Sequence, residues 1–240
     1  MKEKIKLAIA HRIVSILKMD DLTYTHLSHR ANGENFLLSP FGLLFEEVSP
    51  NNLVKCKMNG ELSEDSDFFV TNPTGVAIHS SIYNARHDIN AIIHLHTNNS
   101  IAVSAMKFGL LPISQHALHF YERVAYHKYD SLFLNEDEQM KKMIFDMSDK
   151  NVTILNNHGF ITCGKTMEEA LFYAYHLEKA CKIQVLTLQA CDFVDLTIPN
   201  HEICKKACHD LLNFEKNLGE RDWNAWINKL KRENINFKLD

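Results

Sequence analysis

The chain has 240 residues, of which 45% are hydrophobic and 23% are charged, and its formal net charge is -4. This length provides one sizeable core, and we predict a single domain over residues 1–240. There is no basic excess, which argues against nucleic acid and anionic membrane surfaces as partners. No apolar run is long enough to span a bilayer.

The first residues share some features with a signal peptide. Lysines precede apolar residues in Lys2–Met19, but His11, Arg12 and Lys18 interrupt the apolar stretch, and no small-residue cleavage site follows. We therefore predict an amphipathic helix over Lys2–Met19 and a cytoplasmic protein. The six cysteines form no CxxC pair, and free thiols fit a reducing compartment.

Two β-hairpins are predicted in the next part of the chain. Asn-Gly pairs between extended segments favour two-residue hairpin turns, because both central residues of such turns need a positive φ. The first hairpin is predicted from Thr25–Ala31 and Glu34–Ser39, which Asn32-Gly33 joins. The second is predicted from Leu53–Met58, which Asn59-Gly60 follows. A polar loop, Glu64–Asp67, comes next.

Helices and strands alternate through the rest of the chain. Helical spacing of apolar residues predicts the helices, and short apolar runs bounded by turn residues predict the strands. The helices are Ile78–Arg86, Asn99–Gly109, Glu136–Asp149, Thr166–Ala190 and, from about residue 198, His201–Asn213 and Arg221–Arg232; the strands are Ala91–His96, Val152–Leu155 and Phe160–Cys163. Early hairpins followed by βα alternation predict a layered α/β fold with a largely antiparallel or mixed sheet.

The clearest predicted helix begins after Thr166. Thr166 is a typical N-cap residue, and Glu169, three residues later, completes the sequence pattern of a capping box. The residues predicted for its inner face are Leu171, Tyr175, Leu177, Cys181 and Val185.

The histidines are the main candidates for chemistry. His94 and His96 are two residues apart in a predicted strand, so they point to the same face, roughly 6.6 Å apart along the backbone. Such a pair can share one metal ion, and His158, in a polar break directly after a buried strand, is the best third ligand. The alternative is that all three histidines are structural. The chain has 14 histidines, so their spacing alone leaves both interpretations open.

Several motifs around these histidines form a recognisable set. They are Ile93-His94-Leu95-His96-Thr97, Asn157-His158-Gly159, Gly164 with Glu168-Glu169-Ala170, and His79–Arg86. Together they resemble the class II aldolase/adducin superfamily, over roughly Lys6–Leu188. The likeness is greatest to the adducin head-domain branch, through Pro40–Leu44, Ala102–Lys107, Gly109–Ser114 and Val124–His127.

The resemblance implies a three-layer α/β/α sandwich with a central, mainly antiparallel sheet. It also implies that His94, His96 and His158 bind one divalent ion of the zinc type. In the family's sugar-phosphate aldolases and epimerases, such an ion acts as a Lewis acid and stabilises an enediolate. Family members are commonly homotetramers, so the resemblance favours a homo-oligomer that acts on a small-molecule substrate.

The chain departs from the aldolases at the acid/base position. Their glutamate, four residues before the residue that aligns with His79, is replaced here by Gly75, which can neither give nor take a proton. Catalysis would need a substitute base. The candidates in matching regions are His26, His29, His116, Tyr121 and Glu122.

A phosphate site is a weaker prediction of the same resemblance. The loop that begins at Ser39 and ends at Gly42 keeps the small-Pro-x-Gly shape of the family's phosphate loop, and the alternative is a plain turn. Asn72 and Thr74 are the other candidate phosphate contacts.

Two functions follow from these patterns. The first is a metal-dependent lyase or isomerase of the class II aldolase type, acting on a sugar phosphate or another small hydroxy-carbonyl compound. The second is a non-catalytic, adducin-like domain that keeps the metal site and serves in binding or assembly. The three histidines favour the first function, whereas Gly75 favours the second.

Overall fold

The computed structural model describes residues 2–31, 34–63, 70–132 and 137–235. Seven strands in these ranges form one sheet in the order β3-β2-β1-β4-β7-β6-β5. Their bounds are β1 His26–Arg30, β2 Asn35–Leu38, β3 Val54–Lys57, β4 Ala91–Leu95, β5 Val124–His127, β6 Val152–Leu155 and β7 Gly159–Gly164. β5 and β6 are parallel and the other five neighbouring pairs are antiparallel, which confirms the predicted mainly antiparallel sheet.

Helices cover both faces of this sheet. Their bounds are α1 Lys2–Ile16, α2 Pro73–Ala85, α3 Asn98–Ser104, α4 Gln115–Leu118, α5 Asp137–Met147, α6 Met167–Ala190, α7 His201–Leu212 and α8 Glu220–Arg232. One apolar core packs α1, α3 and α6 against one face, and a second core packs α2 and α5 against the other. The predicted α/β/α sandwich is therefore confirmed. No helix in the described ranges is long and apolar enough to cross a membrane.

The side chains of β4 alternate between the two faces of the sheet, so successive residues lie in different layers. Ile93 and Leu95 belong to the core beneath α6, whereas Ile92 belongs to the core beneath α2. Because side chains alternate between the faces of a strand, His94 points into the α2 layer. His26 lies opposite His94 in the β1–β4 register and shares that face.

Several predicted boundaries were wrong. α1 ends at Ile16 instead of Met19, because Lys18 takes a positive φ of 55° that breaks the helix. α2 begins at Pro73 instead of Ile78, since Asn72 caps it with a side chain that accepts from the Thr74 N–H. The third predicted helix ends at Ser104 instead of Gly109, and α4 and β5 were missed.

The long helix α6 was predicted well except in two details. The Thr166 hydroxyl accepts from the Glu169 N–H, as expected of an N-cap. The Glu169 carboxylate, however, accepts from the Lys165 N–H and not from the Thr166 N–H that a capping box uses. Tyr175 is 37% exposed and does not belong to the inner face.

The two predicted hairpins have different outcomes. β1 and β2 pair antiparallel, as the first hairpin requires, although its turn, Asn32-Gly33, lies outside the described residues. After Asn59-Gly60, the residues that the structure describes form one β-bridge, between Cys56 and Leu62. The predicted polar loop Glu64–Asp67 also lies outside the described residues.

Candidate metal centre

His94 is buried near the end of β4, and its hydrogen bonding fixes the proton on the ring. Its Nδ1 lies 2.9 Å from the carbonyl oxygen of Phe160 on the neighbouring strand β7. A carbonyl only accepts, so Nδ1 carries the proton, and Nε2 of the neutral ring presents a lone pair. This is the tautomer that a metal ligand needs.

His96 follows β4 directly and is oriented by a carboxylate from a distant part of the chain. Its Nδ1 lies 3.2 Å from Oδ2 of Asp21, so Nδ1–H donates to the carboxylate and Nε2 again carries the lone pair. Asp21 was not among the predicted site residues. It is 75 positions from His96, and nothing in the sequence links the two.

His158 reaches the other two histidines through the tight turn between β6 and β7. Asn157 takes a positive φ of 58° within this turn, and the His158 N–H donates to the Leu155 carbonyl. A Cβ at Gly159 would lie 2.3 Å from the Leu95 oxygen, so only glycine lets the turn approach β4 this closely. Leu95 pairs with Phe160, which places His158 beside His96.

The three imidazoles converge on one point. Nε2 of His96 lies 2.9 Å from Nε2 of His94 and 2.9 Å from Nε2 of His158. All three ligand atoms lie within 4.8 Å of one another. Nitrogen lone pairs that face each other at these distances repel unless a cation lies among them. The donor set therefore fits a divalent ion that accepts imidazole ligands.

The protonation of these histidines matches metal binding. Burial, followed by the neighbouring histidines, holds the pKa of His94 well below its usual value. Burial also lowers the pKa of His96, against the opposing effect of Asp21, and lowers the pKa of His158 to about 4. The rings are therefore neutral at neutral pH, the state in which imidazole binds metal.

The segment after His96 is held by a carboxylate of α6. Glu178 accepts hydrogen bonds from the Thr97 hydroxyl, the Asn99 amide and the Ser100 N–H at the start of α3. This contact caps α3 from another helix and fixes the backbone directly after His96. Glu178, like Asp21, was missed by sequence reasoning because its partners are about 80 positions away.

The space beside Gly75 is filled by His26. A Cβ at residue 75 would lie 3.0 Å from Cδ2 and 3.2 Å from Nε2 of His26. The His26 ring is buried, 4.8 Å from the His94 ring between centroids. An imidazole therefore lies against the helix position at which the resemblance to the aldolases implies a glutamate.

A chain of hydrogen bonds leads from His26 into the α2 layer. Its Nδ1 lies 2.7 Å from Nε2 of His79, whose Nδ1 contacts the Ser28 hydroxyl. The Ser28 hydroxyl lies 2.8 Å from that of Tyr83. Burial lowers the pKa of His79 to about 3, so the chain consists of neutral groups. These contacts hold the His26 ring in place.

Of the five candidate bases, only His26 lies beside the three histidines. His29 pairs with Ala91, three residues from the register position of His94, and its Nδ1 bonds the Arg30 carbonyl. The remaining three lie on other surfaces: His116 stacks on His176, the Tyr121 hydroxyl contacts His201, and Glu122 lies 3.8 Å from Lys205.

The candidate phosphate contacts are engaged within the protein. The Ser39 hydroxyl is buried, bonds His11 and donates to the Leu27 carbonyl. The Asn72 side chain accepts from the Thr74 N–H and the Thr74 hydroxyl. Gly42 takes a positive φ of 93° in an exposed turn. Phosphate binding at these residues stays a prediction.

The chain is similar to known proteins in both sequence and structure. The chain matches the family model of the class II aldolase and adducin N-terminal domain over residues 5–185. An aldolase II superfamily protein from Pseudomonas syringae is 40% identical, with a TM-score of 0.89, over 97% of this chain and 93% of that one.

Two further relatives are an aldolase of known structure and an adducin. The structure of L-fuculose 1-phosphate aldolase from Glaciozyma antarctica PI12 is 26% identical, with a TM-score of 0.77, over 87% of this chain and 81% of that one. Alpha-adducin of Rattus norvegicus is 43% identical over 188 residues, which cover 76% of this chain and 25% of the adducin.

Proposed function

Because the chain belongs to the class II aldolase and adducin N-terminal domain family, we propose that it binds one divalent ion, of the zinc type, through His94, His96 and His158. The observation that carries this proposal is the convergence of their three Nε2 atoms. Neutral rings and two protonated Nδ1 atoms support it, since both leave Nε2 free to coordinate.

We further propose a lyase or isomerase reaction on a small hydroxy-carbonyl compound, with a sugar phosphate as the favoured substrate. Three protein ligands leave a coordination position for substrate oxygens, and a bound ion would supply Lewis-acid polarisation there. The chain's own part is to hold the three rings in position and the His94 and His96 rings in the tautomer with the proton on Nδ1. Similarity to a fuculose-phosphate aldolase supports this substrate class.

Assembly and location belong to the same proposal. The family likeness favours a homo-oligomer, with a tetramer as the expected state. All six cysteines are free thiols, which agrees with a reducing, cytoplasmic location. Light scattering of the purified protein tests the assembly, and a monomer at all concentrations would contradict it.

A second candidate is a non-catalytic binding or assembly domain that keeps the metal site. Gly75 supports it, because no side chain there can transfer a proton, and His26 already fills the adjacent space. The identity to alpha-adducin supports it as well.

Metal analysis of the protein, purified without chelators, tests the site. We expect about one zinc-type ion per chain in the wild type and in His209→Ala, whose side chain is 76% exposed. His96→Ala should lose the ion because two ligands remain. Wild-type protein that holds no stoichiometric metal, or His96→Ala that holds as much as the wild type, would refute the proposed site.

A retro-aldol assay over a panel of sugar phosphates separates the two candidate functions. The metal-loaded wild type should cleave at least one of them, and His96→Ala should not. Metal-loaded protein that turns over none of the panel would favour the binding domain.

A further inference from the structure

A cavity lies between α4, α6 and α8, away from the three histidines. Its volume is about 700 Å³, within the usual range for small-molecule sites. It reaches Glu168 at the start of α6. β7 runs six residues away from the His158 turn before α6 begins, so Glu168 lies beyond the opposite end of that strand.

Aromatic rings form much of the cavity wall. Trp223 and Trp226, the two tryptophans of the chain, both line it. Phe172 lines it too, with its ring 4.1 Å from that of His176 between centroids. Burial and the neighbouring His119 and His116 lower the pKa of His176 to about 3, so this ring is neutral. Such a wall suits a planar aromatic ring.

Buried polar atoms accompany these rings. The Glu168 carboxylate is 11% exposed, and its Oε1 pairs with Lys6 at 2.5 Å. Its Oε2 and the Nδ1 of His176 are buried, and neither atom has a hydrogen-bond partner within the described part of the chain. A buried carboxylate oxygen with no donor is costly, and an N–H group on a ligand would satisfy it.

We propose that this cavity is a second ligand site, which takes a planar aromatic compound with an amidine-type or amino N–H donor for Glu168. The ring lies against the tryptophans and Phe172, and the donor bonds the carboxylate. Such a site is separate from the metal centre and requires neither the metal nor catalysis there.

The tryptophans provide the test, because both report on this cavity. Benzamidine, which joins a ring to N–H donors, should quench tryptophan fluorescence saturably. Benzoate has the same shape without donors, and acetamidine has donors without a ring, so both should bind at least about tenfold more weakly. His96→Ala should bind benzamidine like the wild type, which separates this test from that of the metal centre.

Two substitutions distinguish the carboxylate from a merely apolar cavity. Glu168→Gln should weaken benzamidine binding by about tenfold or more, whereas Lys6→Gln, which removes the same ion pair but keeps the acceptor, should not weaken it. Thermal melts check that both variants fold. The proposal would be overturned if quenching were absent or non-saturable, or if both variants lost affinity equally. It would also be overturned if benzamidine bound more weakly at higher protein concentration, because a second copy of the chain would then fill the cavity.

Discussion

At the scale of single residues, the proposed metal centre depends on the group that hydrogen-bonds the Nδ1 of each ring. A backbone carbonyl takes the Nδ1 proton of His94, and the Asp21 carboxylate takes that of His96. Sequence spacing predicted the His94–His96 pair, because strand geometry alone places both on one face. It could not predict Asp21, whose role depends on tertiary contact.

The Asp21–His96 contact gives the first prediction. Asp21→Ala should weaken metal binding by about 10- to 100-fold, since an outer carboxylate orients the ring and raises its basicity. Competition with a chromophoric chelator measures the dissociation constant. Asp20→Ala is the matched control, because it removes the adjacent carboxylate and should change affinity little. Equal affinities in both variants would show that Asp21 does not support the ligand.

Gly75 and His26 give the second prediction. Gly75→Ala should destabilise the protein by about 1–3 kcal/mol, because the new Cβ would press on an imidazole held by His79. In a His26→Ala background the same change should be neutral, or stabilising by up to about 1 kcal/mol, through helix propensity. Urea unfolding of all four proteins gives the coupling energy. Additive changes in the free energy of unfolding would mean that the His26 ring moves freely to make room for the new Cβ.

At the scale of elements, sequence reasoning succeeded where a local signal defined the boundary. Thr166 caps α6 by bonding to the backbone three residues later, as its sequence predicts. The signal at α2, Asn72 before Pro73, has the same form but was overlooked, which shortened the predicted helix. β5 was missed because a four-residue strand at the sheet edge, with one exposed side chain, lacks a clear apolar run.

The β6–β7 turn gives the third prediction. Gly159→Ala should destabilise the protein by about 3 kcal/mol or more and weaken metal binding, because its Cβ would strike the Leu95 carbonyl and press on the His96 ring. Gly42→Ala is the control: its Cβ would meet no atom of the described residues within 4 Å, so we expect a cost only from the positive φ, about 1 kcal/mol. Urea unfolding and metal titration measure both effects. Equal losses in the two variants would contradict this role of the turn.

At the scale of the whole molecule, the layers could be predicted, but most hydrogen-bond partners of the polar groups within them could not. Apolar periodicity predicted a layered α/β fold, and the family likeness predicted its α/β/α order. The hydrogen-bonded histidines buried between the layers carry no such periodicity. His11 on α1 is an example, since its ring bonds the Leu7 carbonyl and the Ser39 hydroxyl in the core and packs edge-on against Phe45.

Burial of neutral His11 makes the stability of the whole fold depend on pH. Burial lowers its pKa from 6.5 to about 4, whereas the unfolded chain binds a proton near pH 6.5. Between these values the unfolded state holds more protons, so stability rises with pH, is complete above 6.5 and is lost as pH falls towards 4. One such residue contributes a slope of up to about 1.4 kcal/mol per pH unit.

The fourth prediction removes this linkage. His11→Phe, in protein kept metal-free by a chelator, should reduce the slope of unfolding free energy against pH by up to about 1.4 kcal/mol per unit between about pH 4 and 6.5. Ser39→Ala removes the partner of the His11 ring but keeps the ring, so it should lower stability and preserve the slope. Denaturant unfolding at several pH values gives both slopes. An unchanged slope in His11→Phe would mean that His11 takes up its proton without unfolding the protein.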